Sequence, residues 1–444
     1  MNTIKNNSSN PSPSGRPGGA VRTKAVRLYG KGDLRLEEFE LPKIKEDEIL
    51  ATVVSDSICM SSWKAAILGT EHKRVPNDAA ENPPIIGHEF SGEIIEVGAK
   101  WKDKFQVGQK YSIQPAIYYE DGPVGVLSAP GYSYKYIGGN ATHVIIPKDV
   151  LEQDCLLPFE HPGYYPGSLA EPLSCVIGAM HANYHTTPGS YVHEMEIVEG
   201  GKMAILAGVG PLGLAAINYV VNREDRKPGL LVVTDISQDR LDRAAEIFPI
   251  EWAKENGIEL IYINTGEVEN PVETLKEISG GTGYNDVFVF APVPQVVEQG
   301  DDILAQDGCL NFFAGPSKTD FKAKMNFYNV HYAATHIVGT SGGNTSDMLE
   351  ALDIMEKVLD PAGLVTHIGG LNSVIHTTLN LPDIPGGKKL IYTQKNLPLT
   401  AISDFEELGR TDKYYADLAK IVSKTKGLWS VEAEDYLLEH APAI

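Results

Sequence analysis

Hydrophobic and polar positions alternate with a period near two along the first third of the chain. Ala25–Tyr29, Leu34–Phe39 and Glu48–Val54 alternate or run apolar over strand lengths, with glycine and proline between them. Further strands are predicted at Ile85–Val97, around Gln109–Gln114 and at His143–Pro147. Short strands without long intervening helices predict a compact, barrel-like β domain. Two irregular stretches interrupt it, Ala65–Pro84 and Pro115–Asn140, and ordered loops of that length are often functional.

After Pro147 the period changes. Gly167–Tyr184 reads as an alanine-rich apolar helix. Strand-like runs then recur at Met203–Ala207, Leu230–Thr234, Glu259–Ile263, Asp286–Phe290, Cys309–Phe313 and His336–Gly339. Helical patterns fall between them, such as Ser237–Phe248 with Ser237 at the N-cap. Alternating βα units predict a parallel sheet wrapped by helices. It is expected to end near Gly342, followed by an amphipathic helix over Asp347–Val358 and a return to β-like, proline-bearing sequence at Leu364–Tyr392.

The stretch Lys202–Asp235 gives this pattern a chemical meaning. An apolar strand runs into Gly208-Val209-Gly210-Pro211-Leu212-Gly213, then a helix, then a second strand ending on Asp235, 22 residues after Gly213. Strand, glycine turn, helix, strand and acid is the order a dinucleotide site requires. The helix N-terminus offers free N–H groups and partial positive charge to a pyrophosphate. Asp235 stands where a carboxylate accepts ribose hydroxyls, which favours NAD(H); Arg240 keeps NADP(H) open as the lesser alternative. The expected fold class is therefore α/β: a Rossmann dinucleotide-binding domain (167–342) inserted in a β-rich, barrel-like catalytic domain (21–166 and 343–444). Residues 1–20, rich in Asn, Ser, Pro and Gly, read as a flexible tail.

The totals exclude some classes of partner. With 38 basic and 59 acidic residues the formal charge is −21, which argues against nucleic acid or an anionic membrane. The four cysteines, Cys59, Cys155, Cys175 and Cys309, are scattered without CxxC spacing, so a disulfide framework is not expected and a reducing cytoplasm fits. No apolar run reaches the length of a membrane span, and no signal-peptide core is visible.

Candidate chemistry lies in three separated places. Cys59 follows a strand and opens Cys59-Met60-Ser61-Ser62-Trp63; His88-Glu89 follows Gly87; Glu171 opens Glu171-Pro172-Leu173. A thiolate, an imidazole and carboxylates make a plausible zinc shell, and a catalytic zinc needs three protein ligands and one open position. Spacing alone is weak, since a lone Cys is commonly a small hydrophobe and a His-Glu pair commonly a surface feature.

Together, Gly87-His88-Glu89, Cys59 with Ser61 two residues on, Glu171-Pro172-Leu173 and the glycine loop resemble the zinc-dependent medium-chain dehydrogenase/reductase family, in the family's order. Thr234-Asp235-Ile236-Ser237 and the glutamate-type site resemble its sorbitol and polyol dehydrogenases. Gly131-Tyr132-Ser133-Tyr134, Ile137-Gly138-Gly139-Asn140, Ser174-Cys175-Val176-Ile177 and Asn183-Tyr184-His185-Thr186 are similar to the L-sorbose 1-phosphate reductase branch. The resemblance implies an oxidoreductase interconverting a polyol and a ketose, either plain or phosphorylated as in L-sorbose 1-phosphate and glucitol 6-phosphate. One zinc would sit on Cys59, His88 and either Glu89 or Glu171, with Ser61 as first step of a proton relay. It implies a homodimer or homotetramer.

Two departures stand out. The lobe of four cysteines that holds a structural zinc in many relatives has no counterpart in about Gln114–Gly139, so no structural zinc is expected. Ser62 stands where many relatives carry Asp. His72-Lys73-Arg74 with Lys64 reads either as a phosphate or sugar contact or as a solvated cluster. Tyr118, Tyr119, Tyr132, Tyr134 and Tyr136 read as loop packing or a subunit contact, with polyol contacts as the alternative. His181 and His185, spaced i and i+4, read as core or helix-surface residues. Another zinc alcohol or threonine-type dehydrogenase, or a non-catalytic NAD(H)-binding protein, are the alternative functions.

Overall fold

The computed structural model describes residues 20–444; the expected tail lies almost wholly outside them. Lys202–Leu206, Leu230–Asp235, Glu259–Asn264, Tyr284–Val289, Leu304–Phe312 and His336–Gly339 form a six-stranded parallel sheet. Lys202–Leu206 lies centrally, between Leu230–Asp235 and Tyr284–Val289, so successive units wind outward in both directions. Alternate side chains feed two layers. Met203 and Ile205 pack with Leu214, Ile217 and Val233, while Ala204 and Leu206 pack with Val232, Leu275 and Val287. This is the doubly wound arrangement the apolar runs predict.

A second, eight-stranded sheet is built around Ile49–Ile58, which is buried along its whole length. It pairs antiparallel with Phe90–Val97, His143–Ile146 and Lys388–Tyr392. The chain thus leaves this sheet, builds the parallel one, and returns to add Lys388–Tyr392 with Leu390 opposite Ser57. Arg22–Gly30 and Asp33–Glu40 form a separate hairpin over it.

Three differences from the sequence pattern have physical reasons. The strand predicted from Ile85 begins at Phe90; Ile85 makes a single bridge to Arg27. Between them Gly87 has φ +93°, and a Cβ there would meet Asn140 Nδ2 at 2.0 Å. The apolar run is bent so that His88 and Glu89 leave the ladder. Secondly, the helix Tyr165–Ala182 stops before Tyr184, because Asn183 turns extended and donates from Nδ2 to Asp286 Oδ1 at 2.7 Å. His181 and His185 therefore do not share a helix face. His181 Nδ1 lies 2.7 Å from Asp347 Oδ1, and His185 Nε2 lies 3.0 Å from Asp286 Oδ1. Thirdly, Ser237 occupies the N-cap of Gln238–Ile247 without a side-chain cap bond; its N–H donates to Asp235 Oδ1 at 3.1 Å. The helix read as Asp347–Val358 spans Thr345–Lys357, started by a reciprocal cap between Asn344 and Asp347.

Beyond Tyr392 the chain adds helices Lys413–Ser423 and Val431–His440, which the sequence reading did not anticipate. Leu418, Val422, Trp429 and Leu437 bury against Tyr165, Leu169 and Tyr392. Within this apolar layer Glu434 is fully buried and accepts from the N–H groups of Tyr164 (2.5 Å) and Tyr165 (2.9 Å) and from Tyr392 Oη (2.9 Å). It serves the free N–H groups at the start of the Tyr165–Ala182 helix from a distant segment.

Burial pushes the Glu434 carboxyl up to about 7, against those three donors and Lys110. Its folded value thus exceeds the unfolded one, so the folded chain holds a proton the unfolded chain has released. This contribution to stability is full below the ordinary glutamate range and is lost as pH rises towards about 7. Glu434→Gln, which cannot ionise, should therefore show a smaller fall in denaturation midpoint between pH 5 and pH 8 than the wild type. Equal falls in the two proteins would refute the assignment.

Candidate active site

Cys59 follows the Ile49–Ile58 strand and stands at the N-cap of the helix Met60–Leu68 without a side-chain cap bond, at the strand-to-helix turn. The bend at Gly87 brings His88 and Glu89 beside it. One donor atom from each of Cys59, His88 and Glu89 lies within 4.8 Å of the other two, the only such group of His, Cys, Asp and Glu among the described residues. Glu171, on the Tyr165–Ala182 helix, adjoins Glu89, whose charge adds to burial in raising its carboxyl, and its Oε1 accepts from Cys175 Sγ at 3.6 Å. Residues distant in the chain are therefore gathered at one point, as the sequence motifs require.

The electrostatics follow from burial and crowding. Burial holds the His88 imidazole down to about 4, despite the attraction of Glu89, so it is neutral with a lone pair to offer. Tyr132 Oη lies 3.2 Å from Nε2, and Ser62 Oγ lies 3.1 Å from Nδ1. Ser62 thus does the orienting expected of the Asp it replaces. Burial, with Glu89's charge added, pushes the Cys59 thiol up to about 12 and the Glu171 carboxyl up to about 8. Burial also pushes Glu89 upward, but Lys388 outweighs it and holds Glu89 below its usual range. Lys388 Nζ donates to both oxygens of Glu89, at 2.6 and 2.5 Å, and the pair is almost fully enclosed.

This donor set suits a divalent cation. One thiol, one neutral imidazole and one carboxylate converge on one point, with the Glu171 carboxyl adjoining. Burial and the charge of Glu89 hold the Cys59 thiol and the Glu171 carboxyl protonated, and a dication would offset both effects as it displaces their protons.

Ser61 lies beside this group. The Tyr132 phenol is pushed well up by burial and by Cys59 and Glu171, while Arg74 and the nearby Ser61 oppose the shift. Tyr132 therefore keeps its proton and borders the site, although its sequence context reads equally well as loop packing. Lys388 is the residue that pattern reading missed. Its signal was present: Lys388-Lys389 are two charges inside a run that is otherwise strand-like and buried.

In the parallel sheet, Gly208–Gly213 joins strand Lys202–Leu206 to helix Pro211–Asn222, with Gly210 at the N-cap and Pro211 in the first turn. A Cβ at Gly213 would lie 2.1 Å from Gly208 O, so only glycine lets the turn close, while nothing lies within 4 Å of a Cβ at Gly210. Leu212 packs on the core beneath. Asp235 ends the next strand; its Oδ1 accepts from the N–H of Ile236 at 2.9 Å as well as from Ser237, which fixes the carboxylate at the sheet edge. Arg240 is exposed on the following helix.

No helix among the described residues is long and apolar enough to cross a membrane. Comparison with known proteins matches residues 211–357 to the zinc-binding dehydrogenase model and residues 45–156 to the alcohol dehydrogenase GroES-like domain. L-sorbose 1-phosphate reductase of Klebsiella pneumoniae is 51% identical over 423 residues, covering 95% of this chain and 98% of that protein. Mannitol-1-phosphate 5-dehydrogenase of Aliivibrio fischeri is 50% identical over 420 residues, covering 94% and 98%. Among solved structures, 2R,3R-butanediol dehydrogenase from Bacillus subtilis shares the fold with a TM-score of 0.65 at 22% identity, covering 84% of this chain and 99% of that one. The chain therefore belongs to the zinc-binding dehydrogenase family and is an oxidoreductase that works with zinc and a nicotinamide cofactor.

Proposed function

We propose that this enzyme interconverts a phosphorylated polyol and the corresponding ketose phosphate, using one zinc ion and NAD(H). The observation that carries the reading is the convergence of Cys59, His88 and Glu89 within 4.8 Å, with Glu171 adjoining. Two relatives at 50–51% identity over nearly the whole chain bear the names of a mannitol 1-phosphate dehydrogenase and an L-sorbose 1-phosphate reductase, which supports the substrate class.

Cys59, His88 and Glu89 would hold the zinc, and Glu171 would be the carboxylate that exchanges with substrate or water. Zinc, when bound, supplies Lewis acidity to the alcohol or carbonyl oxygen, and the nicotinamide supplies the hydride acceptor or donor. The chain's own residues do the rest. Ser62 holds the His88 ring in one orientation and Lys388 holds Glu89 in its ionised form. The hydroxyls of Ser61 and Tyr132 border the group and give a proton its first way out. Gly208, Gly210, Pro211, Leu212 and Gly213 form the turn that receives the pyrophosphate, and Asp235 accepts the adenosine ribose hydroxyls. A carboxylate there repels a 2′-phosphate, which favours NAD(H). Arg240, one turn further on, is the residue through which NADP(H) would be accommodated.

Three measurements test this. Assayed with NADH and NADPH against sugar phosphates, their unphosphorylated parents and threonine, the enzyme should turn over a ketose phosphate with NADH; activity confined to threonine or a simple alcohol would overturn the substrate class. Metal analysis of Cys59→Ser should show loss of about one zinc per chain and of turnover, with NADH still bound; unchanged turnover refutes the ligand role. Asp235→Ser should raise the KM for NAD about tenfold or more, the loss of a charge-assisted hydrogen bond, and shift preference towards NADP. Unaltered preference removes Asp235 from the cofactor site.

A further inference from the structure

His72, Lys73, Arg74 and Lys64 have no place in the chemistry described above. We propose that Arg74, assisted by His72 and Lys64, binds the phosphate of the substrate and so selects phosphorylated over plain polyols. The assignment rests on the sugar-phosphate reading above and adds the residues that enforce it.

Geometry places this group at the site. The His72 ring stacks on Tyr132 with centroids 5.6 Å apart and planes 10° from parallel, and the Arg74 guanidinium carbon lies 5.9 Å from the same ring centroid. Tyr132 also meets His88, with ring centroids 4.8 Å apart and Oη 3.2 Å from Nε2. Tyr132 thus touches both the Arg74 side of this cluster and the reaction centre. The length of one such side chain is of the order of the few-bond reach between a sugar's carbonyl carbon and its phosphate.

Charge points the same way. Lys64 and Arg74 are half-buried, and among the described residues neither has a carboxylate partner, although the chain carries a net charge of −21. Lys64 Nζ donates to Gly315 O at 3.3 Å and Arg74 Nη1 to Leu127 O at 3.0 Å. Buried Lys389, which also lacks a carboxylate, directs its ammonium to three carbonyls, those of Ile384, Pro385 and Gly387. Lys64 has one such contact and Arg74 uses one of its five N–H groups in this way, so both keep donors free for an anion. The positive field they make with Lys73 adds to burial in holding the His72 imidazole down to about 4.

The cluster is also built rather than loose. Arg74 O accepts from Ser133 Oγ at 2.7 Å, Arg74 N donates to His72 Nδ1 at 3.3 Å, and Val75 and Pro76 are buried behind it. The anchored backbone and the bond from Nη1 to Leu127 O leave the Arg74 side chain less freedom to lose when an oxyanion arrives, and its fork matches phosphate geometry.

The same chemistry would suit a phosphate of the cofactor, so the test separates the two sources. Steady-state kinetics of wild type, Arg74→Gln and Arg74→Lys are compared on a ketose phosphate and its unphosphorylated parent, with NADH and NADPH dissociation constants measured by fluorescence. Arg74→Gln should lower the ratio of kcat/KM for phosphorylated over unphosphorylated substrate about 10- to 100-fold, chiefly through KM. Arg74→Lys, which keeps the charge and the packing, should recover part of it. An unchanged ratio in both variants overturns the proposal, and weaker nucleotide binding with an unchanged ratio assigns the cluster to the cofactor instead. A wild type with no preference for the phosphate removes the substrate reading itself; a wild-type preference that survives in Arg74→Gln removes only this inference.

Discussion

The buried pair between Glu89 and Lys388 is the interaction on which the site depends. Desolvating two charges is expensive, and removing one partner of such a pair typically costs about 3–5 kcal/mol because the other is left stranded. Here the pair does more than balance itself. Lys388 keeps Glu89 ionised, and ionised Glu89 in turn raises the cost of charging Cys59 and Glu171. One ammonium therefore faces several potential anions, and the pocket is short of positive charge by design of its residues. Two segments about 300 positions apart supply the partners. The pairing of Lys388–Tyr392 with Ile49–Ile58 is what puts the ammonium there, so sheet formation and site electrostatics are one event.

A second constraint is the helix Tyr165–Ala182, which carries Glu171 from one sheet towards the other. Its first turns are tied to the β sheet by hydroxyls: Ser91 Oγ donates to Tyr164 O at 2.6 Å, Ser112 Oγ to Gly167 O at 2.7 Å, and Ser55 and Ser168 lie 2.9 Å apart. Its later turns pack with Met203, Leu214 and Met348 beside the parallel sheet. Glu434 fixes the N-terminal end from the C-terminal helix. The rigid helix fixes the backbone beneath Glu171, so only rotation of its side chain sets where the carboxyl lies.

How much of this the sequence disclosed depends on the range of the interaction concerned. The six strands of the parallel sheet were legible because a strand buried on both faces is a continuous apolar run, and the run ending on Asp235 carried its glycine turn with it. Cys59, His88 and Glu171 were legible as residues but not as neighbours; only the family's ordering of motifs joined them. The bend at Gly87 was hidden because Ile85-Ile86 looks like the start of a strand, and the packing of Asn140 against Gly87 is non-local. The end of the helix at Ala182 depends on Asp286, and the cap on Tyr165 depends on Glu434; neither partner lies within a local window. Lys388 left a trace, as a charge opening a strand-like apolar run, but its role depends on Glu89, about 300 positions away.

Ser62 shows how the same charge accounting reaches the smallest choices. The His88 ring needs an acceptor at Nδ1 to hold Nε2 towards the centre, and many members of the family place an Asp at this position. Around this centre Glu89, Glu171, Cys59 and the fully buried Asp56 already compete for one ammonium, and burial drives Asp56 well above its ordinary range. A further carboxylate a few ångströms away would add repulsion to each of them. A hydroxyl at 3.1 Å supplies the orientation without the charge. The departure from the family pattern at residue 62 and the unusual lysine at 388 thus answer the same demand: both limit the negative charge the pocket must hold before its cation arrives.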